Sequence, residues 1–390
     1  MRVAVVAGPD PGHSFPAIAL CQRFLAAGDV PTLLTGTEWL ETARAAGVDA
    51  VELAGLDPTA DDDDLDAGAK IHQRAARMAV LNVAQLRAME LDLVVSDVIT
   101  ACGGMAAELL GIPWIELNPH PLYLPSKGLP PIGSGLAPGT GIRGRLRDAT
   151  MRALTARSLR AGNRQRAEAR SEIGLPAIDP GPLRRLIATL PALEVPRPDW
   201  PAEAVLVGPL HFEPTEQVLS VPSGSGPVVV VAPSTALIGT RGMAQTALEC
   251  LVPGVALPVG ARVMVSRLNG PDLTVPPWAV VGLGRQDDLL AHADLVICGG
   301  GHGMVAKTLL AGVPLVVVPG GGDQWEIANR VARQGSGCLV RPLTDEALVS
   351  AAAEVLATPS YRAAARRAAA GAVDVTDPVR VCHDALAPIG

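Results

Sequence analysis

DLVICGGGHGMVAKTLLAGVPLVVVPG (294–320) runs from a short apolar strand through a glycine loop into a helix, then returns to a second apolar strand. The helix MVAKTLLAG has its stop signals in Gly312 and Pro314. Both flanking runs, DLVICGG and PLVVVPG, are apolar without alternation, as strands buried on both faces of a parallel sheet must be. Between them, Gly299–Gly303 places a nearly side-chain-free backbone at a helix N-terminus. Such a loop lets a phosphate approach the N–H groups, where the helix dipole also favours an anion. His302 is placed to donate to the same phosphate. Close packing of helix on strand asks for the same glycines, so the loop alone leaves both readings open. The loop itself carries no lysine, which separates it from an ATP-binding P-loop.

The same plan recurs along the chain. In the first half, RVAVVA (2–7), PTLLTG (31–36), LDLVVSD (91–97) and WIELN (114–118) are each followed by a helix-length segment. In the second half, PVVVVAPS (227–234), ARVMVS (261–266) and AVVGLG (279–284) precede the two strands already described. Alternation of this kind is the α/β class, read here as two doubly wound Rossmann-like domains facing across a cleft. The first domain spans 1–207. GPLHFEPTEQVLSVPSGSGP (208–227) is rich in Pro, Ser and Gly and forms a linker. The second domain spans 228–376, and 377–390 forms a terminal helix starting at Pro378. NPHPLYLPSKGLPPIGSGLAPGTGIRGR (118–145) is an irregular tract inside the first domain, a length of loop that usually serves function. The acidic run Asp61–Asp64 has no apolar strand leading into it and reads as a solvated loop rather than a metal site.

At 390 residues the chain exceeds one ordinary core and fits two domains. It is 48% hydrophobic and 18% charged, the profile of a globular protein. A net charge of -7 argues against a nucleic-acid partner, because neutralising phosphates takes clustered Lys and Arg. Its six cysteines lie scattered, without CxxC or close Cys/His pairing, so buried reduced thiols are expected rather than zinc or disulfides. The first apolar run stops at Gly8-Pro9, too soon for a secretory signal. No apolar run reaches membrane-spanning length. A cytoplasmic enzyme is the expectation, with a homodimer left open.

Two residues at strand tips carry candidate chemistry. In GPDPGHSFPAIALCQRFLAAG (8–28), His13 sits where a strand crosses into a helix that Ser14 would cap. In doubly wound sheets ligands bind beyond the carboxyl ends of strands, so an imidazole there faces a cleft. Proximity to a helix N-terminus favours a neutral, basic ring, while a structural histidine is the plain alternative. Asp97 ends LDLVVSD at another such tip, where it can orient a neighbouring imidazole or cap the next helix. Asp323 and Gln324 follow the strand after the glycine loop and suit polar recognition of sugar hydroxyls.

Four stretches together resemble the inverting nucleotide-sugar glycosyltransferases of the two-Rossmann (GT-B) architecture, especially bacterial enzymes of natural-product biosynthesis. They are GPDPGHSFPAIAL (8–20), DVITACGGMAAELLGIPWIEL (97–117), LPALEVPRPDWPAEAVLVGPL (190–210), and the run 284–337 from GRQDDLL to RQGSG. The resemblance implies His13 as catalytic base and Asp97 as its carboxylate partner. It implies a donor site of Ser234, Thr235, Gln286, Gly300, Gly301, His302, Gly303, Met304, Asp323 and Gln324. The implied donor is a UDP- or dTDP-linked hexose, with no metal and no cofactor. The implied acceptor is a small, largely apolar molecule taken by the first domain, where His120 and Tyr123 of the irregular tract would meet it. Relatives often carry His-Gly-Gly-x-Gly-Thr in the phosphate loop; here the first and last positions are Gly299 and Met304, and His302 fills the variable one. Relatives also place Asn four residues after the Asp of the Asp-Gln pair, where this chain has Ile327. Two other readings share this architecture: a sugar-nucleotide epimerase, and a helper protein without catalysis.

Overall fold

The computed structural model describes residues 1–57, 67–235, 239–268 and 272–387; the acidic run Asp61–Asp64 lies outside them. Seven parallel strands form the first sheet: β1 (Arg2–Val6), β2 (Val30–Thr35), β3 (Asp49–Glu52), β4 (Leu93–Asp97), β5 (Trp114–Asn118), β6 (Arg185–Ile187) and β7 (Ala204–Leu206). Their spatial order is β3-β2-β1-β4-β5-β6-β7. The helices between them are α1 (Pro11–Ala26), α2 (Leu40–Ala45), α3 (Ala67–Ala88), α4 (Cys102–Leu110) and α5 (Gly141–Glu172). Alternate strand residues serve opposite faces: Val3, Val5 and Val95 pack in one core, Ala4, Val6 and Val94 in another.

The second sheet repeats the design with β8 (Val228–Ala232), β9 (Arg262–Ser266), β10 (Ala279–Gly282), β11 (Leu295–Cys298), β12 (Leu315–Val317) and β13 (Gly337–Leu339). Its order is β10-β9-β8-β11-β12-β13, all parallel, with α6 (Met243–Cys250), α7 (Gln286–His292), α8 (His302–Leu310) and α9 (Asp323–Gln334) between strands. Helices α10 (Asp345–Ala357) and α11 (Pro359–Ala370) follow. In both sheets the order reverses between the first and fourth strands, leaving a crevice at their carboxyl ends. All nine apolar runs expected as strands contain strands; β5 matches its run residue for residue, and the others differ from their runs by one to four residues counted over both ends.

Residues 207–227 hold neither helix nor strand, and they touch both halves: Leu210 and Phe212 enter a core of the first sheet, Leu219 one of the second. Helix α12 (Pro378–Leu386), capped by the Asp377 side chain, returns to the first half. Its Val379, Val381 and Cys382 join the core beneath α1, and His383 Nε2 binds Asp29 Oδ2 at 2.8 Å. Among the described residues, no helix is long and apolar enough to cross a membrane.

Three expectations are corrected. Helix α1 begins at Pro11, so Ser14 lies inside it rather than at its cap; its hydroxyl donates back to the Gly8 carbonyl at 2.5 Å. Asp97 does not cap α4, which starts five residues later with Ala101 at the cap. The irregular tract ends at Thr140, because α5 begins at Gly141.

Candidate active site

Both strand-tip residues of the first sheet fall at its switch point. Strand β1 pairs with β4 as far as Val6 and Ser96, so the loop before α1 and the tip of β4 emerge side by side. The backbone N–H of Gly8 donates to Thr100 Oγ1 at 2.8 Å, stitching the two turns together. The backbone N–H of Ile99 donates to Asp97 Oδ1 at 3.0 Å, which fixes the carboxylate's direction. Its other oxygen, Oδ2, lies 2.8 Å from His13 Nδ1. The Asp97 side chain is wholly buried and that of His13 is 17% exposed. With Asp97 ionised, Nδ1 carries the proton and the lone pair sits on Nε2. Burial lowers the His13 pKa, but the charge and hydrogen bond of Asp97 outweigh it, and the net shift is upward.

His120 and Tyr123 stand beside this pair. The His120 ring meets His13 edge-on at 6.2 Å between centroids, and Tyr123 stacks on His120 at 4.5 Å. His120 Nδ1 lies 2.8 Å from the Pro121 carbonyl, which can only accept, so Nδ1 is the donor. Asp97, His120 and Tyr123 share the lining of a cavity of about 590 Å³ with Met105, Trp114 and Leu124. Ion pairs complete its wall: Arg170 with Glu108 at 2.6 Å, and Arg185 with Glu116. The wall is therefore mixed, combining apolar side chains with paired charges.

In the second sheet the glycine loop follows β11, and Ser234 follows its switch-point neighbour β8. The glycines divide by role. A Cβ on Gly299 would lie 2.8 Å from the Ser234 backbone, and one on Gly300, at φ +81°, would lie 3.0 Å from Val317. Gly301 and Gly303 would meet nothing within 4 Å, so the backbone at the start of α8 is open. His302 is turned away from that opening. Its Nε2 lies 2.8 Å from Thr189 Oγ1, and the Pro119 carbonyl also acts on the ring. Burial pushes its pKa down to about 3, so it is neutral.

The other expected donor residues are held as follows. Gln324 Nε2 donates to Ser234 Oγ at 2.8 Å while its Oε1 accepts from Gly320 N–H at 3.0 Å, so both ends of this buried amide are used. Gln286 Oε1 accepts from Lys307 Nζ at 3.0 Å, and Lys307 also pairs with Glu213 at 2.6 Å. Met304 is half-buried against the second core. Thr235 and Asp323 are exposed, and the charge of Asp323 reaches both His13 and His120, so the two switch points face one cleft.

Sequence reasoning missed the residues that join the halves. Arg330 donates to the Leu193 carbonyl at 2.8 Å, pairs with Glu326 and Glu194, and lies 5.6 Å above the Tyr123 ring. Glu326 accepts from Gly135 N–H at 3.0 Å, and Trp325 Nε1 donates to the Ser134 carbonyl at 3.2 Å. The irregular tract is thus pinned to α9. Arg330, Glu326 and Trp325 lie inside the quoted stretch 284–337, and Leu193 and Glu194 inside 190–210, but neither stretch indicates that their side chains meet across the halves. Among the described residues, no three His, Cys, Asp or Glu side chains gather as metal ligands.

Two doubly wound sheets whose switch points meet across a cleft, one bearing a His–Asp pair and the other an open glycine turn, define the GT-B class. Residues 274–387 match the family described as erythromycin biosynthesis protein CIII-like, C-terminal domain. The chain is 29% identical to 4'-demethylrebeccamycin synthase of Lentzea aerocolonigenes over 94% of each protein. Its fold superposes on the glycotransferase of kitacinnamycin with TM-score 0.76, at 22% identity and 99% coverage of both chains. The spinosyn rhamnosyltransferase SpnG complexed with thymidine diphosphate aligns with TM-score 0.67, at 19% identity, covering 98% of this chain and 99% of that one. The chain thus has the GT-B fold and is similar along nearly its whole length to natural-product glycosyltransferases.

Proposed function

We propose that the protein moves a hexose from a UDP- or dTDP-linked donor to a hydroxyl of a small acceptor, with inversion at the anomeric carbon. The observation that carries this reading is the 2.8 Å contact between His13 Nδ1 and the buried Asp97 carboxylate at the switch point. His13 Nε2 takes the acceptor's hydroxyl proton as the oxygen attacks the anomeric carbon. The bond from that carbon to the diphosphate breaks on the opposite face. Asp97 stabilises the imidazolium that forms. The leaving charge is met by the open N–H groups of Gly301–Gly303 and the dipole of α8, chemistry that proceeds without a metal. A fold neighbour complexed with thymidine diphosphate supports a nucleotide-linked donor. Nothing in the site favours epimerisation or a helper role over transfer.

The test is transfer from UDP- and dTDP-hexoses by the wild type and His13→Ala. The variant is expected to bind donor by calorimetry with near wild-type affinity and to transfer no sugar. A wild type that binds neither nucleotide sugar sinks the reading.

A further inference from the structure

The first two-thirds of α5 turn positive charge and apolar surface together toward solvent. From Ile142 to Arg164 the helix carries seven arginines against one acid, Asp148, in a chain whose net charge is -7. Asp148 is buried and spent on the Gly139 N–H and on Arg147. Among the described residues, Arg143, Arg145 and Arg157 make no hydrogen bond or ion pair. Arg160 donates to the Ala156 carbonyl of its own helix, and Arg164 meets Glu168 at 3.7 Å with both side chains largely exposed. On the same stretch Ile142, Leu146 and Leu154 are 87%, 65% and 76% exposed. At about 100° per residue these three fall within about 120° of arc, opposite Asp148, and Arg143, Arg157, Arg160 and Arg164 fall in the same arc. The outward face thus mixes aliphatic side chains with guanidiniums.

We propose that this face of α5 is a docking surface for an anionic lipid bilayer, on which the protein lies without spanning it. The occupant has to supply negative charge along about 33 Å of helix and apolar depth at the same places. Lipid headgroups give the charge, worth roughly fivefold in affinity per arginine, and the acyl boundary takes the aliphatic side chains. Nucleic acid gives the charge without the apolar depth. The unpaired guanidiniums give up no protein partner on docking, and their stems lie along apolar surface while the heads reach phosphate. Arg166 and Arg170, further along the same helix, line the cavity of about 590 Å³, so docking sets that cavity beside the bilayer. Docking is independent of sugar transfer and holds whether or not the transferase reading does.

Co-sedimentation of the intact chain with vesicles tests this. One set of vesicles is phosphatidylcholine alone, the other phosphatidylcholine with about 30% phosphatidylglycerol. Wild-type protein is expected to bind the anionic vesicles roughly tenfold tighter or more, with affinity falling as salt rises. The triple variant Arg143→Gln, Arg157→Gln, Arg160→Gln is expected to lose on the order of a hundredfold. The triple variant Ile142→Gln, Leu146→Gln, Leu154→Gln is expected to lose roughly tenfold or more. All six side chains are exposed, so both variants should unfold in urea as the wild type does, which separates docking from folding. Equal binding to the two vesicles, binding to neither, or wild-type binding by either variant overturns the proposal. A concentration-dependent dimer that both variants dissolve, or binding of duplex DNA in place of vesicles, also overturns it, by assigning the face to a second copy or to nucleic acid.

Discussion

A histidine at a strand tip becomes a base only when its second nitrogen is anchored. Asp97, 84 residues away, anchors His13 and lifts its pKa above the ordinary 6.5. The base works deprotonated, so kcat/KM is expected to fall as pH drops through that raised value. Asp97→Asn removes the raising charge and leaves burial, which lowers it. The acid limb of the pH–rate profile should then move to lower pH. The plateau should drop by roughly 10³–10⁴-fold, because an amide no longer holds the productive tautomer. An unchanged acid limb would dissociate Asp97 from the base. His302 illustrates the opposite case. Neutral, buried and bonded to Thr189, it faces the first domain rather than the open turn. His302→Ala should cost about 1–3 kcal/mol in chemical denaturation through the orphaned Thr189 hydroxyl and a small void. Nucleoside diphosphate affinity should stay within about threefold, since the backbone keeps its own N–H groups.

At the level of elements, the glycine loop separates packing from binding. Gly300 adopts φ +81° against Val317 and the Gln324 carbonyl, so Gly300→Ala is expected to destabilise by about 1–3 kcal/mol. Gly301 has an ordinary φ of -61° and open space around it. Gly301→Ala should therefore fold normally but weaken nucleoside diphosphate binding, read by calorimetry beside a denaturation curve. Equal behaviour of the two variants would erase the division. Helix α5 shows why an element stays hidden. It holds nine arginines, and its Ile142, Leu146 and Leu154 face solvent, so no apolar stripe announces it. Strands β3, β6, β7 and β13 escaped notice because each has only three or four residues and none sits in an apolar run as long as the PLVVVPG that revealed β12.

Across the whole molecule, Arg330 ties α9 to the first half. Its guanidinium serves the Leu193 carbonyl, Glu326 and Glu194 in a buried setting. Arg330→Ala strands two buried carboxylates and is expected to cost about 3–5 kcal/mol, measured by urea denaturation. Arg330→Lys, with one point charge for three partners, should recover only part. A loss under 1 kcal/mol in Arg330→Ala would show that the halves are held together by other contacts.

The order of apolar runs and helices along the chain was enough to specify two doubly wound sheets, because a strand buried on both faces has a pattern visible residue by residue. Strand-tip position likewise marked His13, Asp97 and the glycine loop, since chain reversal at a switch point opens a crevice wherever such strands end. Direction was another matter. That His13 meets Asp97, that His302 turns toward Thr189, that Gln324 is used up on Ser234 and Gly320, and that His120 and Tyr123 wall a cavity with Arg170 and Arg185 were decided only by tertiary structure. A side chain's hydrogen-bond partner lies wherever folding brings it, commonly many tens of residues off, and no local pattern encodes that meeting.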